Sequence, residues 1–459
     1  MSRSSVRLIT VATTAALVVG VVGCGRSGGS SSTPSSGPAS SGGSAATSTA
    51  SASAAKGDFG DLKAICGPGN ATGGSGRGIS ATTIKVGTMA DPGASVAPGL
   101  GGDFFDVATS FVKWCNAAGG INGRKLDLTN YDAKYFNVAQ QMINACQSTF
   151  MLVGNGNPAD APGVKPRLAC NLGELPAYSV SPEAVSAGLQ VDATPNPANQ
   201  FQVGPYRLLQ LKYPDVTKLS LGSSNIASLK STGLRARDAV EKIGFKVVDY
   251  SERPPLVSNY RPYMEATKQS GATGYNDTTA SDITPELTAV KDTGLELKWW
   301  LLGNQFYDPK TIKAVQNSGT PTKIYQYFSH LPFELADQFP VVKQIKDIMS
   351  AGVSSPKYTD FTALGFNSWV LWAKSATACG NNLTQACVLE KAGSEKTWTA
   401  GGFFPARDTD PKHPLQTTCY VMMDVTAQGF VYNKDVTQPN NSIYNCDPKN
   451  VVDLQKTYQ

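Results

Sequence analysis

From Thr82 onward, short apolar runs alternate with amphipathic stretches in which large apolar residues recur every three or four positions. Ile84 to Met89 reads as a strand, and Phe104, Ala108, Phe111, Val112 and Cys115 fall on one face of a helix. Lys125 to Tyr131 reads as a second strand and Val138 to Phe150 as a helix. Met151 to Gly154 then reads as a buried strand, Val164 to Cys170 as a helix and Pro176 to Val180 as a strand. Such βαβ repetition predicts a parallel sheet with helices on its faces. The rhythm restarts with a strand at Leu219 to Ser223, a helix from Ser231 to Ile243, a strand at Phe245 to Tyr250 and a helix from Tyr260 to Ser270. A strand at Gly274 to Thr279, a helix at Pro285 to Thr293 and a strand at Trp299 to Leu302 continue it. Two similar α/β halves are expected. A helix over Ala363 to Ala378 and a polar, Pro-rich stretch from Phe403 to Pro414 predict that the chain returns to the first half and crosses over again. The expected division is 58–198 with about 329–405 in lobe 1, and about 199–328 with 406–459 in lobe 2.

The N-terminal region follows a different pattern. Arg3 and Arg7 precede an uncharged apolar run from Leu8 to Val22, which fits a secretory signal over residues 1–23 and is too short for a mature membrane span. The run ends in Val21-Val22-Gly23-Cys24, which resembles the bacterial lipobox. Cys24 is therefore the expected lipidation site, the alternative being an ordinary signal with a chance cysteine. Residues 24–57 are dominated by Ser, Gly, Ala, Thr and Pro, a composition that cannot build a core. A flexible coil of about 33 residues spans roughly 30 Å, enough to hold a folded body clear of a membrane.

Composition narrows the chemistry. The 459 residues are 41% hydrophobic, enough for more than one domain, and the formal net charge of +5 comes without a clustered basic face. Nucleic acid is thus not an expected partner. Only His330 and His413 are available as imidazoles, which leaves little room for a zinc site. Ser329-His330 has no acidic partner legible in the sequence, Lys412-His413-Pro414 reads as a solvated loop, and Asp91, Asp160 and Glu286 form a carboxylate pair only if a structure is assumed. The glycine-rich segments Gly73 to Gly76 and Gly99 to Gly102 lack the Lys-Ser/Thr of a phosphate loop. No enzyme, cofactor or metal is expected.

Three segments carry a family resemblance: Ile84-Lys85-Val86-Gly87, then Trp114-Cys115-Asn116-Ala117-Ala118-Gly119-Gly120-Ile121-Asn122-Gly123-Arg124-Lys125, then Tyr131-Asp132-Ala133. The stretch resembles type I periplasmic binding proteins, in particular the leucine/isoleucine/valine-binding proteins of ABC transporters. Tyr178-Ser179-Val180-Ser181-Pro182, Asn304-Gln305-Phe306-Tyr307-Asp308-Pro309 and the helix opening at Phe361 extend the likeness. It implies an α/β fold of two Rossmann-like lobes in flavodoxin-like strand order, with mostly parallel central sheets, three crossovers and a ligand cleft between the lobes. It also implies a small-molecule ligand, an ABC permease as partner and a monomer lipid-anchored on the outer face of the cytoplasmic membrane. The same fold also serves as a ligand-sensing ectodomain, which is the alternative.

Ligands of open α/β sheets sit beyond the carboxyl ends of the strands. This rule nominates Met89, Asp91, Asn155, Asn157, Tyr178, Ser179 and Ser181 in lobe 1, and Asn225, Thr278, Thr279, Asn304 and Gln305 in lobe 2. The resemblance adds Phe361 as a cleft aromatic. Each is otherwise an ordinary turn, capping or core residue. Departures from the family pattern bear on the ligand. The turn that holds a ligand carboxylate in the family is here Asn155-Gly156-Asn157-Pro158, and the region of the acidic partner for an ammonium offers Asn304 and Gln305. A zwitterion would be buried without counter-charges, so leucine, isoleucine and valine are not the expected ligands. Trp299-Trp300 and the alternating Tyr325, Tyr327 and Phe328 read as packing.

Lipidation of Cys24 leaves eight of the nine cysteines. In the 2-1-3-4-5 sheet that this fold implies, the second and third helices share a face, which pairs Cys146 with Cys170. Cys115 is left on the other face, within reach of Cys66. Cys379 and Cys387 bracket a short turn, and Cys419 and Cys446 remain to tie the strand at Tyr420 to the C-terminal segment. Some buried free thiols are the alternative.

Overall fold

The computed structural model describes residues 57–74, 76–277, 282–456 and 458. The expected signal segment 1–23, Cys24, the tether up to residue 56, Thr278 and Thr279 lie outside the described residues. Lobe 1 opens with β1 (Thr83–Ala90), α1 (Gly102–Ala118), β2 (Lys125–Asp132), α2 (Val138–Ser148) and β3 (Met151–Val153). It continues with α3 (Ala161–Ala169), β4 (Gly173–Leu175) and the short α4 (Pro182–Val185). The chain crosses through β5 (Gln200–Gln202) and α5 (Gly204–Lys212) into lobe 2. There it forms β6 (Lys218–Ser224), α6 (Ala227–Lys242), β7 (Lys246–Arg253), α7 (Arg261–Ser270) and β8 (Gly274–Asp277), then α8 (Thr284–Thr293), β9 (Trp299–Leu302), α9 (Pro309–Ser318) and β10 (Lys323–Phe328). It returns as α10 (Pro340–Gly352) and α11 (Asp360–Ala378), which pack on α1 of lobe 1, and α12 (Gln385–Gly393), which packs on α11. The last passage supplies β11 (Cys419–Thr426), β12 (Gly429–Tyr432), α13 (Lys434–Thr437), β13 (Asn445–Cys446) and β14 (Val451–Asp453).

The lobe 1 sheet has the order β2-β1-β3-β4, all parallel, and a parallel bridge from Glu174 to Gln190 marks the start of a fifth position. Lobe 2 runs β7-β6-β8-β9-β10 in parallel, and β11 and β12 add to its edge antiparallel. Two strands from different crossings, β5 and β14, pair with each other as a separate antiparallel ribbon. Crossing strands that share hydrogen bonds constrain the hinge between the lobes. Adjacent tryptophans behave as a strand requires: Trp300 enters the main core and Trp299 the core on the opposite face.

The helix-to-strand turn after α1 shows why its residues are what they are. Gly120 has φ 86°, and a Cβ there would lie 2.0 Å from the Arg124 carbonyl oxygen, so only glycine fits. One expected element moves. The strand read at Pro176 to Val180 lies three residues earlier, at Gly173–Leu175. Pro176 brings no N–H to a ladder, so the chain leaves the sheet there, and residues 176–180 become a loop. Four disulfides join Cys66 to Cys115, Cys146 to Cys170, Cys379 to Cys387 and Cys419 to Cys446. Arg77 reinforces the second by donating to the carbonyls of Thr149 (2.8 Å) and Cys170 (2.9 Å). Among the described residues no helix is long and apolar enough to cross a membrane.

Candidate functional site

Loops at the carboxyl ends of strands from both lobes enclose a cavity of about 270 Å³. Lobe 1 contributes Val96, Ala97 and Leu100 after β1, Tyr135 after β2 and Pro158 after β3. It adds Tyr178, Ser179 and Val180 from the loop that Pro176 releases, and Asp360, Phe361 and Leu364 from the first turns of α11. Facing them in lobe 2 are Ser224 at the end of β6, Ile226 just after it, Leu229 and Thr232 on α6, Pro255 after β7, and Asn304 and Gln305 after β9. An adjoining space of about 310 Å³ shares Leu100, Asn304, Gln305, Asp360 and Phe361 and adds Asp103, Asp282, Asp308, Lys310 and Lys357. The two walls touch across the cleft: the Ser228 hydroxyl donates to the Pro158 carbonyl, and Asn304 Nδ2 donates to Asp360 Oδ2 at 3.2 Å.

Tyr178 and Phe361 form the floor, and the fully buried Phe104 packs beneath them. Phe104 and Phe361 have centroids 5.1 Å apart, and Tyr178 lies 5.7 Å from each. Such offset contacts add to the area these rings bury. Gly156 makes the cluster possible, because a Cβ there would lie 2.6 Å from Tyr178 Cε1 and 2.9 Å from Phe104 Cε2.

Polar groups beneath the surface hold the loops. Asp160 accepts from the Val180 N–H at 2.7 Å and the Ser181 N–H at 3.1 Å. The Ser179 hydroxyl donates to Asp192 Oδ1 at 3.1 Å and accepts from Gln190 Nε2 at 2.9 Å. Burial pushes the Asp160 carboxyl up to about 6 and that of Asp192 up to about 7. Burial likewise raises the Tyr135 hydroxyl to about 12 and that of Tyr178 well above the usual tyrosine range, so both stay protonated. His330 Nδ1 donates to the Leu331 carbonyl at 2.8 Å, and its Nε2 lies 3.2 Å from Asp360 Oδ1. The imidazole thus has an acidic neighbour that sequence reading could not supply. It is fully buried and stacked on Phe328 at 4.3 Å, which accounts for it as a packed core residue.

A family model described as periplasmic binding protein matches residues 83–429. The chain belongs to the periplasmic binding protein family. No curated protein matches it. Among solved structures it is similar to the branched-chain amino acid transporter substrate-binding protein of Streptococcus pneumoniae in complex with isoleucine, at 16% identity and TM-score 0.60, with 76% of this chain and 98% of that one covered. A solute-binding protein of R. palustris in complex with 4-hydroxybenzoate gives TM-score 0.63 at 14% identity, over 76% and 95% of the two chains. A fatty acid ABC transporter substrate-binding protein from Thermomonospora curvata gives 0.61 at 14%, over 78% and 94%. At these identities the likeness establishes the shared fold. The family match makes it a binding protein of the periplasmic type.

Of the residues nominated from this binding protein's sequence, Tyr178, Ser179, Asn304, Gln305 and Phe361 line the cavity. The others have different surroundings. Met89 is fully buried in a cluster with Tyr131 and Leu152. Asp91, 1% exposed, accepts from the Tyr135 N–H at 2.7 Å and from Asn157 Nδ2 at 2.9 Å. Asn155 donates to Glu174 at 3.0 Å, and Glu174 pairs with Arg167 at 2.8 Å. Ser181 caps α4 by accepting from the Ala184 N–H. Asn225 is exposed, and its N–H donates to the Arg253 carbonyl at 2.8 Å. Short polar side chains near strand ends commonly satisfy the backbone of their own loops in this way.

Sequence reasoning missed the apolar loop Val96–Leu100, Tyr135, Asp360 and the α6 residues. Tyr135 enters the wall through consecutive left-handed residues, Lys134 at φ 49° and Tyr135 at φ 75°, held by Asp91. No side-chain pattern announces that geometry. Asp360 carried a signal: Thr359 and Thr362 form a capping box that places it at the first helical position.

Proposed function

We propose that this protein captures a small solute with an apolar body and no α-ammonium group between its two lobes and hands it to an ABC permease. It does so as a monomer anchored by a lipid on Cys24 at the outer face of the cytoplasmic membrane. Binding is reversible and involves no turnover. The observation that carries the reading is the cleft itself, walled from both lobes and floored by Tyr178 and Phe361, with Phe104 packed beneath them. A solute touching both walls favours the closed arrangement through differential affinity, which is all a ligand needs to shift such an equilibrium.

Free leucine, isoleucine and valine fit poorly. Asn155 and Asn157 are turned away from the cleft toward Glu174 and Asp91, where they cannot receive a carboxylate in the turn after β3. Asp360, the one carboxylate that lines the inner cavity among the described residues, is already engaged by Asn304 and lies beside His330, so an ammonium would be buried without a free counter-charge. A thermal-shift panel of amino acids, aromatic acids, fatty acids and sugars, followed by small-angle scattering of each stabilising compound, tests the proposal. Compaction without chemical change of the compound is expected. Tight, stereospecific binding of a branched-chain L-amino acid would overturn the ligand assignment, and conversion of the bound compound would overturn the binding-only reading.

A further inference from the structure

Behind the lobe 2 side of the cavity lies a cation that the protein leaves uncompensated. Arg235 on α6 is 2% exposed. Its Nη1 donates to Asn196 Oδ1 at 3.2 Å and to the carbonyls of Pro197 at 2.8 Å and Gln200 at 3.4 Å, and its Nη2 approaches Thr232 Oγ1 at 3.4 Å. Its Nε is buried with no acceptor. Among the described residues no carboxylate pairs with it, whereas buried Arg167 meets Glu174 and buried Arg253 meets Asp277 and Glu286. Arg124 and Arg407 also lack a carboxylate, but neither adjoins the cleft. A buried charge served only by neutral acceptors costs stability that a nearby anion would restore. Consistent with that, burial lowers the Arg235 guanidinium to about 10.

Both side chains that Arg235 touches, Asn196 and Thr232, line the inner cavity. The guanidinium occupies the Asn196 carbonyl oxygen and draws on the Thr232 hydroxyl oxygen. One Asn196 amide hydrogen goes to the Ser179 carbonyl at 3.4 Å, so what these residues have left for a ligand is donors: the second Asn196 N–H and the Thr232 O–H. Among the described residues no Lys, Arg or His side chain lines this cavity, so Asn196 and Thr232 offer an anion hydrogen-bond donors with the Arg235 guanidinium directly behind them.

We infer that the solute is an apolar monocarboxylic acid whose carboxylate is received by Asn196 and Thr232, with Arg235 as the positioning residue behind them and the hydrocarbon body on the Tyr178–Phe361 floor. The inference rests on the proposed function and names the charged end of the solute. It places the carboxylate at the start of the first crossing, since Asn196, Pro197 and Gln200 all precede or begin β5. A bound acid there joins cleft, α6 and hinge through one guanidinium.

The test is calorimetry with octanoate, octanol and octylamine, which share a flexible apolar body and differ in charge. Octanoate is expected to bind at least about tenfold tighter than octanol, with octylamine weakest. In Arg235→Met the acid-over-alcohol ratio should fall to within about threefold, and Arg235→Lys should restore part of it. Should Arg235→Met fail to fold, Asn196→Asp carries the test, because a carboxylate at that position compensates Arg235 from within and should reverse the preference to octanol. Octanol binding as tightly as octanoate would overturn the inference while leaving solute capture intact. An unchanged ratio in Arg235→Met or Asn196→Asp, or failure of octanoate to bind, would overturn it too. Failure of the capture reading is separately visible as the absence of compaction with every compound in the scattering panel.

Discussion

Gly156→Ala should damage the cleft through one methyl group. The added Cβ would sit 2.6 Å from Tyr178 Cε1, 2.9 Å from Tyr178 Cδ1 and 2.9 Å from Phe104 Cε2. Comfortable carbon–carbon contact needs roughly 3.5 to 4 Å, so the two rings must retreat by about 1 Å. Phe104 is fully buried beneath, and Phe361 lies 5.7 Å from Tyr178, so the open direction for the tyrosine is the cavity. Overpacking of this kind costs about 1 to 3 kcal/mol in stability. A tyrosine displaced into a cavity of about 270 Å³ also removes space from the solute. Urea denaturation should show an earlier midpoint at unchanged slope, and octanoate calorimetry a loss of roughly tenfold or more in affinity. Gly188→Ala is the control, because nothing lies within 4 Å of a Cβ there and its effect should stay within about 1 kcal/mol of neutral. Wild-type stability and affinity in Gly156→Ala would show that the aromatic floor is not packed as described.

Three further outcomes follow from other parts of the molecule. Cys24→Ala should release the processed protein from membranes in cell fractionation, and retention after signal cleavage would refute the lipid anchor. Asp91→Ala should strip hydrogen-exchange protection from the Tyr135 amide and weaken octanoate binding, while Asp91→Asn keeps an acceptor for that N–H and should preserve both; equal loss in the two variants would refute a positioning role. Removing Cys66–Cys115, which spans 49 residues, should cost about 4 kcal/mol, against about 2.5 kcal/mol for Cys379–Cys387, which spans 8, by denaturant unfolding; the reverse order would exclude loop entropy as the main term.

The sheets were legible because parallel strands buried on both faces read as continuous apolar runs, as in Trp299–Leu302, where every residue is buried. Cysteine pairing was legible for a topological reason: once strand order and crossover hand are given, the faces on which Cys115, Cys146 and Cys170 lie follow. The strand before the cleft loop was misplaced because Glu174 and Gly173 look polar and flexible, although both are buried. Within the site, the rule that ligands gather at strand ends selects positions along the chain but not side-chain direction. Tyr178 and Asn157 both follow strands, yet Tyr178 faces the cavity while Asn157 turns back to Asp91. What decides between them is a partner far away in sequence, and no local pattern carries it. Arg235 was hidden for the same reason, since its meaning depends on which carbonyls of residues 196–200 fold back onto α6.

The contacts around the cleft divide into two kinds with different consequences for a solute. Ser228 to Pro158 and Asn304 to Asp360 join the walls directly, so they favour closure whatever is bound. A net hydrogen bond is worth about 1 kcal/mol, and two of them bias the empty protein toward closure without distinguishing one solute from another. Tyr178, Asn196, Thr232 and, through them, Arg235 face the solute, so what they contribute to closure depends on which solute is bound. Selectivity requires that the first kind stay weak. A protein closed by its own contacts would present the same shape to a permease full or empty, and a ligand shifts an equilibrium only by its differential affinity for the two states. An uncompensated guanidinium at the crossing meets that requirement, because the closed state remains incomplete until an anion arrives.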